Sequence, residues 1–263
     1  MYPFELHRAD SVAKAAALLA QSGGKPLAGG QSLVASMQMR LAVPGTLVDL
    51  SGIPELRGIR KEGDALVIGA MTRHAEVAAS AVVKGAIPAL AALAEGIGDR
   101  QVRNMGTIGG SLANNDPAAC YPAAVLALNA TVHTNTRTIP ADQFFKGMYE
   151  TALAEGEIIT AVSFPIPKKA AYVKFPQPAS RFALVGVFVA QTAAGVRVAV
   201  TGAASSVFRA AKIEDALTKS FSADAAKAVK VDAAGLNQDL HGSPAYRAHL
   251  VAVLAARAVA ACG

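Results

Sequence analysis

Residues 103–117 carry the side chains and spacing that most directly suggest ligand chemistry in this chain. Three glycines, Gly106, Gly109 and Gly110, stand among small and hydroxyl-bearing residues, with few apolar positions between them. Closely spaced glycines permit backbone angles that other residues resist and let the main chain approach a ligand. Exposed N–H groups in such a loop form an anion-binding concavity, and Thr107 and Ser111 add hydroxyl donors. The stretch therefore predicts a loop that holds a phosphate group.

A second segment, residues 26–33, has the same character, because Gly29 and Gly30 lie between a short apolar run and the hydroxyl of Ser32. Neither segment is a Walker A loop, since no Gly-Lys-Ser/Thr follows, and neither has the G-x-G-x-x-G spacing of the dinucleotide fingerprint. A single Gly-Gly pair most often marks a tight turn. Two such segments with hydroxyl residues, far apart in sequence, can enclose linked phosphates from opposite sides, and they favour a diphosphate ligand.

Side chains that could act as acids, bases or nucleophiles form no recognisable arrangement. The histidines are scattered at His7, His74, His133, His241 and His249. No metalloprotease motif, nucleophile elbow or Ser/His/Asp order accompanies them. His74, just after a predicted strand, is the histidine we expect nearest to a ligand. The protein itself is thus expected to supply little acid–base chemistry.

Residues 28–33 and 107–117 resemble the two FAD-diphosphate loops of the molybdenum hydroxylase flavoprotein subunit, the medium subunit of carbon monoxide dehydrogenase-type and xanthine dehydrogenase-type enzymes. The resemblance continues in the same order along almost the whole chain. The supporting positions are Phe4 and residues 47–50, 68–72, 144–145, 164–165, 182–186 and 246–247.

The resemblance implies a set of FAD-binding residues. One side of the diphosphate would be enclosed by Pro26, Leu27, Ala28, Gly29, Gly30, Gln31, Ser32 and Leu33, and the other side by Thr107, Gly109, Gly110 and Ser111. In this family the bound flavin carries the redox step, while the protein sets its orientation and electrostatics.

Five further positions are implied by the same resemblance. Asn115 and Asp116 would lie near the ribose or the adenine end of FAD, and Ile97 matches an apolar or aromatic position near the cofactor. Ile159 matches an aliphatic position that packs on the flavin. Lys174 matches a lysine at the flavin end, where a cation would stabilise negative charge on the reduced ring.

Cys120 departs from the family pattern, which usually has aspartate at this position to accept hydrogen bonds from the adenosine ribose. Cysteine is a weak donor and a weak acceptor. We therefore expect FAD to bind more loosely than in a typical relative, by about 1–2 kcal/mol, the order of one lost hydrogen bond.

Three units are expected to position these residues. Residues 1–53 form an α/β unit with a helix over 11–20 capped by Asp10 or Ser11, strands over 25–28 and 46–49, and a helix over 32–39. Residues 54–167 form an α+β unit with strands over 58–60, 65–69, 131–133, 137–140 and 158–164 and helices over 74–80, 87–96 and 123–128. Residues 168–263 form a unit with strands over 172–175, 184–191 and 196–201 and helices over 213–217, 223–229 and 246–261.

The predicted fold class is α+β. The resemblance implies a two-part FAD-binding domain of the vanillyl-alcohol-oxidase/PCMH type, followed by a small C-terminal domain with a three-stranded antiparallel sheet and helices. Phe144 and Phe145 are expected to begin a loop.

Composition narrows the class of protein. The chain is 52% hydrophobic and 17% charged, which is typical of a globular protein with a large core. Its net charge of +6 comes without a basic run or interleaved aromatics, so no nucleic-acid partner is expected. The two cysteines, Cys120 and Cys262, lack metal-ligand spacing. Neither a signal peptide nor a membrane span is expected, which predicts a soluble, cytoplasmic protein.

The resemblance implies the FAD-binding electron-transfer subunit of a molybdenum-containing hydroxylase. A large subunit would hold the molybdenum cofactor and a small subunit two 2Fe-2S clusters, assembled as a dimer of heterotrimers. Two alternatives stay open: a stand-alone FAD-dependent reductase on the same fold, and a nucleotide-binding module without a redox role. The sequence leaves the substrate and the electron acceptor undetermined.

Overall fold

A computed structural model gives the fold, and it describes residues 1–262 of the 263-residue chain. Three sheets and twelve α-helices follow one another in the order expected for three units, with one additional two-stranded hairpin and one 3₁₀ turn over Pro54–Leu56. The mixed helix-and-strand fold confirms the predicted α+β class.

The first unit is a small sheet with two helices. Its elements are β1 (Glu5–Arg8), α1 (Val12–Ser22), β2 (Lys25–Leu27), α2 (Leu33–Gln38) and β3 (Thr46–Asp49). All three strands are parallel, with β3 in the centre and β1 and β2 at the edges. The Ser11 side chain caps α1 by accepting from the Lys14 N–H, and Gly23 ends it with a left-handed φ of 60°. These are the local signals from which the helix was predicted.

The second unit is larger and contains most of the helices. Its elements are β4 (Ile59–Glu62), β5 (Ala65–Gly69), α3 (His74–Ala79), α4 (Ala81–Ala86), α5 (Pro88–Glu95), α6 (Arg100–Met105), α7 (Ile108–Asn114), α8 (Tyr121–Ala127), β6 (Thr131–Thr134), β7 (Thr138–Pro140), α9 (Ala141–Phe144), β8 (Phe145–Gly147), β9 (Glu150–Thr151) and β10 (Ile159–Pro165). Strands β4-β5-β10-β6-β7 form one antiparallel sheet, and β8 and β9 form a separate hairpin.

Several local predictions for the second unit were wrong. Helices α4 and α6 were not predicted, and the stretch predicted as a phosphate loop contains helix α7. Phe144 and Phe145 do not begin a loop, because Phe144 ends the short helix α9 and Phe145 starts β8. Burial explains the last error: Phe144 is fully buried in the main core, which outweighs its low helix propensity.

The third unit is an antiparallel sheet with helices on one side. Its elements are β11 (Lys169–Pro176), β12 (Ala183–Thr192), β13 (Gly195–Thr201), β14 (Phe208–Arg209), α10 (Ala211–Lys219), α11 (Ala223–Lys227) and α12 (Pro244–Ala261). The short strand β14 pairs with β13, so the sheet has four strands rather than the predicted three. Helix α12 buries Leu250, Val251 and Leu254 in the cluster that also contains Val187 and Val189 of β12.

The hydrophobic clusters cross the predicted unit boundaries. Phe188 and Ala190 of β12 belong to the main cluster of the second unit, and Met71 and Ile158 belong to the cluster of the first. Strand β12 therefore buries both of its faces. The division at residues 53 and 167 stays a proposal.

Candidate cofactor-binding site

A cavity of about 540 Å³ lies between the two glycine segments. This volume is within the range of small-molecule and cofactor sites, about 300–1,000 Å³. Every residue predicted for FAD binding lines the cavity except Asn115. The fold thus brings together positions that are separated by most of the length of the chain. That these residues contact FAD stays a prediction.

The first glycine segment offers main-chain donors. Residues 28–32 connect β2 to α2, and Gly30 has a left-handed φ of 73°. Within residues 1–262, the N–H groups of Gly29, Gly30, Gln31 and Ser32 donate to no other protein group. Consecutive N–H groups in such a turn form an anion-binding concavity. These four N–H groups are therefore available to a ligand, and their contact with a diphosphate stays a prediction.

Gly29 is required by the contact between the two glycine segments. A Cβ atom at this position would overlap the carbonyl oxygen of Met105 and lie 2.8 Å from Cα of Gly106. The two main chains therefore touch at this point, and any side chain at Gly29 would separate them.

The second glycine segment differs from the predicted open loop. Thr107 is the N-cap of α7, and its Oγ1 accepts from the Gly110 N–H at 3.2 Å. The Gly109 N–H donates to the Ala70 carbonyl at 2.8 Å. A Cβ on Gly109 would lie 2.6 Å from Cβ of Ala70. Gly109 thus permits close packing of α7 on the residue after β5, and its amide is not a free donor. The Ser111 hydroxyl remains available on the cavity side.

His74 is a cavity residue outside the predicted binding set. It begins α3, it is 5% exposed, and its Nδ1 atom has no hydrogen-bond partner in the described part of the chain. The His74 Nε2 packs closely against Gly106, since a Cβ there would lie 2.6 Å away. Burial, with a smaller contribution from the Arg103 guanidinium, lowers the pKa of His74 from 6.5 to about 4. The imidazole is therefore neutral at pH 7.

Lys174 of β11 lies beside Cys120, and this corrects one prediction. Its ammonium donates to the Gly96 carbonyl at 2.6 Å and the Arg181 carbonyl at 2.7 Å, and lies 3.5 Å from Sγ of Cys120. The resemblance placed Cys120 at the adenosine end and Lys174 at the flavin end. One dinucleotide cannot have both arrangements across 3.5 Å, so these two residues belong to the same end of the cavity.

The carbonyl bonds also change the expected role of Lys174. They join strand β11, the turn after α5 and the segment 177–182 that precedes β12. Arg103, which is buried, donates to the carbonyls of Ile97 and Gly98 in the same turn at 2.9 and 3.0 Å. These cations fix the wall formed by the turn, including Ile97. The segment 177–182 supplies Arg181 and Phe182 to the cavity lining, and no sequence signal indicated them.

Part of the cavity lining is apolar. Ile159, at the start of β10, is 5% exposed and lines the cavity together with Leu50, Met71 and Leu153. Leu50 directly follows β3, and Met71 is the second residue after β5. Their positions at strand ends were the available signal, although the sequence alone did not distinguish them from ordinary core residues.

Asn115 does not line the cavity, and its predicted place near the ribose or the adenine end of FAD stays a prediction. It ends α7 with a left-handed φ of 42°. Its side-chain amide donates to the carbonyls of Gly147 and Glu150 at 2.8 Å each, and it is 1% exposed. Asn115 therefore anchors the hairpin β8–β9. Its neighbour Asp116 does line the cavity.

The third unit holds the segment that carries Cys120. The Thr201 hydroxyl lies 2.7 Å from the Ala119 carbonyl, and the Gly202 N–H donates to the Pro117 carbonyl at 2.7 Å. The position of Cys120 in the cavity thus depends on the sheet β11–β14 as well as on α8.

Similarity to known proteins identifies the family of this chain. Residues 2–167 match the family model described as the FAD binding domain in molybdopterin dehydrogenase. The chain belongs to this family. It is an FAD-binding medium subunit of the molybdenum hydroxylases, and its class is therefore that of an oxidoreductase subunit.

The similarity to individual members extends over nearly the whole chain. The carbon monoxide dehydrogenase medium chain of Hydrogenophaga pseudoflava is 37% identical over 274 residues, covering 97% of this chain and 96% of that protein. The nicotine 6-hydroxylase medium subunit of Paenarthrobacter nicotinovorans is 38% identical and covers 91% and 89%. A solved structure of carbon monoxide dehydrogenase from H. pseudoflava matches with a TM-score of 0.90 at 38% identity, covering 100% of this chain and 98% of that one.

Residues 1–262 contain no cluster of three or more His, Cys, Asp or Glu side chains able to hold a metal ion. Among the helices described, none combines the length and the apolar character needed to cross a membrane.

Proposed function

We propose that this subunit works in electron transfer, receiving electrons from 2Fe-2S clusters of a small partner subunit and delivering them to an external acceptor. A large subunit with the molybdenum cofactor completes the assembly, which is a cytoplasmic dimer of heterotrimers. Family membership and the similarity to proteins that are medium chains and medium subunits support a larger and a smaller partner. The single observation that carries the cofactor role is the cavity between the two touching glycine segments.

The residues of the cavity fit FAD. The free N–H groups of Gly29, Gly30, Gln31 and Ser32 suit an anionic diphosphate. The contact of Gly29 with Met105 leaves the main chain, rather than side chains, facing that group. When bound, FAD would supply the redox chemistry, and the chain would bind and orient it.

The two ends of the cavity suit the two ends of the dinucleotide. We place the adenosine beside Ile97, Asp116, Cys120 and Lys174, since Lys174 and Cys120 lie together. We place the flavin ring against the apolar wall at Ile159, which excludes water from that face. Lys174 then positions the adenosine wall instead of stabilising charge on the ring.

A direct test isolates the assembly through an affinity tag on this chain and then denatures it to release the cofactor. We expect flavin absorbance, a broader iron–sulfur absorbance, two companion chains and released FAD. Flavin without companion chains would replace the proposal with the stand-alone reductase. Absence of flavin, even after FAD is added, would refute the cofactor role.

A matched pair of glycine variants tests the site itself. Gly29→Ala forces a methyl group into the Met105 carbonyl, and we expect FAD affinity to fall at least tenfold. Gly85→Ala is the control, because a Cβ at Gly85 in helix α4 meets no atom within 4 Å. Equal FAD content in the two purified variants would contradict the assigned diphosphate position.

A further inference from the structure

The first unit exposes an unusual amount of large apolar side chain at one edge. We define the apolar edge patch as Tyr2, Phe4, Leu6, Met39, Leu41 and Val43, which are between 37% and 76% exposed. Scattered exposed apolar residues are ordinary on protein surfaces, whereas clustered ones mark interaction sites.

Contacts show that the two parts of this patch are neighbours in space. The guanidinium of Arg40 lies over the Tyr2 ring, 5.3 Å from its centroid. The Glu5 N–H donates to the Gly45 carbonyl at 2.9 Å, and Leu6 pairs with Leu47 between β1 and β3. The N-terminal segment therefore lies beside Arg40 and Gly45, so the two parts of the patch are adjacent.

The size of the patch matches one side of a stable interface. Taking roughly 200 Å² for each large side chain, the exposed fractions amount to about 700 Å². A standard protein–protein interface buries about 800 Å² on each partner. Strand β1 adds a second indication, because all four of its residues are exposed although it belongs to a parallel sheet. Parallel strands are normally covered on both faces.

We propose that the apolar edge patch is the docking surface for the iron–sulfur partner subunit, through an apolar centre and an acidic group placed opposite Arg40. This inference rests on the proposed electron-transfer function and identifies the surface that serves it.

The location of the apolar edge patch favours the iron–sulfur subunit as the protein that binds there. Leu33 lines the cofactor cavity, and only the six-residue helix α2 separates it from Met39. Six helical residues span about 9 Å. A redox centre near the surface of a protein docked on the patch would therefore lie near the glycine segment that lines the cavity.

The charge of Arg40 indicates which chemical group the partner must supply. Arg40 is exposed and forms no ion pair with any carboxylate of residues 1–262. Its guanidinium makes a cation–π contact with the Tyr2 ring. An interface that covers this guanidinium must supply a carboxylate, since an unpaired buried charge is strongly unfavourable.

The test uses the complete assembly, with this chain tagged and expressed together with its partner subunits. Leu41→Glu places a charge in the centre of the patch, and Arg40→Glu reverses the charge of its cation. Leu240→Glu is the control, because Leu240 is 91% exposed and lies in the third unit, outside the patch. We expect Leu41→Glu and Arg40→Glu to weaken binding of the iron–sulfur subunit at least tenfold, measured by native mass spectrometry and titration. FAD content and thermal unfolding of the isolated chain stay at the parent value, and Leu240→Glu assembles normally.

Two outcomes would overturn the proposal. Normal assembly of both patch variants would show that the patch is not the docking surface. Loss of the large subunit or of self-association, with the iron–sulfur subunit retained, would assign the patch to another partner. Failure of the proposed function is recognised separately, because the parent chain would then carry no FAD or no iron–sulfur subunit.

Discussion

His74 provides the most quantitative test of how the site is built. The imidazole is buried beside Gly106, faces the Tyr121 ring at 5.3 Å, and leaves Nδ1 without a partner in residues 1–262. Burial, followed by the Arg103 charge, lowers the pKa of His74 from 6.5 to about 4. The unfolded chain therefore binds a proton at this residue more readily than the folded chain does. Folding stability must fall as the pH drops through this window.

The magnitude follows from the two pKa values. A lowered pKa of the folded state contributes no penalty well above pH 6.5 and its full penalty below pH 4. With about 1.4 kcal/mol for each pKa unit, the full loss is about 3 kcal/mol. Between pH 7 and pH 5 the free energy of unfolding should fall by about 2 kcal/mol through His74 alone.

Urea unfolding at pH 7 and pH 5 measures this loss, with FAD removed because a bound ligand adds its own stability. His74→Gln keeps a neutral polar side chain, and we expect it to lose about 2 kcal/mol less than the parent between the two pH values. His249→Gln, at an exposed histidine of α12, serves as the control and should keep the parent's dependence. If His74→Gln and the parent lost equal stability, burial of a neutral His74 would be refuted.

Three further predictions concern neighbouring groups. Glu157→Gln should lower the free energy of unfolding by about 2–3 kcal/mol at pH 7. The Arg137 guanidinium holds the pKa of Glu157 below its usual 4.5, so the difference between the variant and the parent should shrink as the pH falls below that value. A difference that stays constant in urea unfolding at acid pH would contradict this prediction. Cys120→Asp should tighten FAD binding by about 1–2 kcal/mol, with Cys120→Ala as control, and equal affinities of the parent and the aspartate variant by titration would reject the argument. Lys174→Met removes the bonds that fix segment 177–182, so FAD should dissociate about tenfold faster in stopped-flow displacement, the effect of one lost charged hydrogen bond; an unchanged rate would show that the wall does not need this lysine.

The hydrogen bonds of Lys174 affect the whole site. Two carbonyls and the Cys120 sulfur surround its ammonium, so all three of its N–H groups have partners within the protein. A lysine held in this way orders the cavity wall and has little freedom to follow a ligand. Aspartate at position 120 would meet this ammonium directly, which gives the Cys120 substitution a structural reason to change FAD affinity.

Local signals in the sequence determined much of the secondary structure. Ser11 and Gly23 bound helix α1 because a hydroxyl can cap free N–H groups and glycine tolerates a left-handed φ. The apolar patterns of residues 65–69 and 158–164 predicted β5 and most of β10. Such patterns are visible in the sequence because they involve residues that are neighbours in the same strand. The glycine segments and the colinear family positions likewise identified the cofactor class before any contact was known.

Tertiary contacts decided the rest. Gly109 reads as a loop glycine, yet it lies in a helix, because α7 must pack against Ala70 with no room for a Cβ. Asn115 reads as a ligand residue, yet its amide is used by a hairpin more than thirty residues away. The meeting of Lys174 with Cys120, and the exposure of all of β1, depend on how separate elements pack. Sequence specifies conformations that arise from nearby residues, whereas a cavity wall or an uncovered edge exists only after distant segments have packed together.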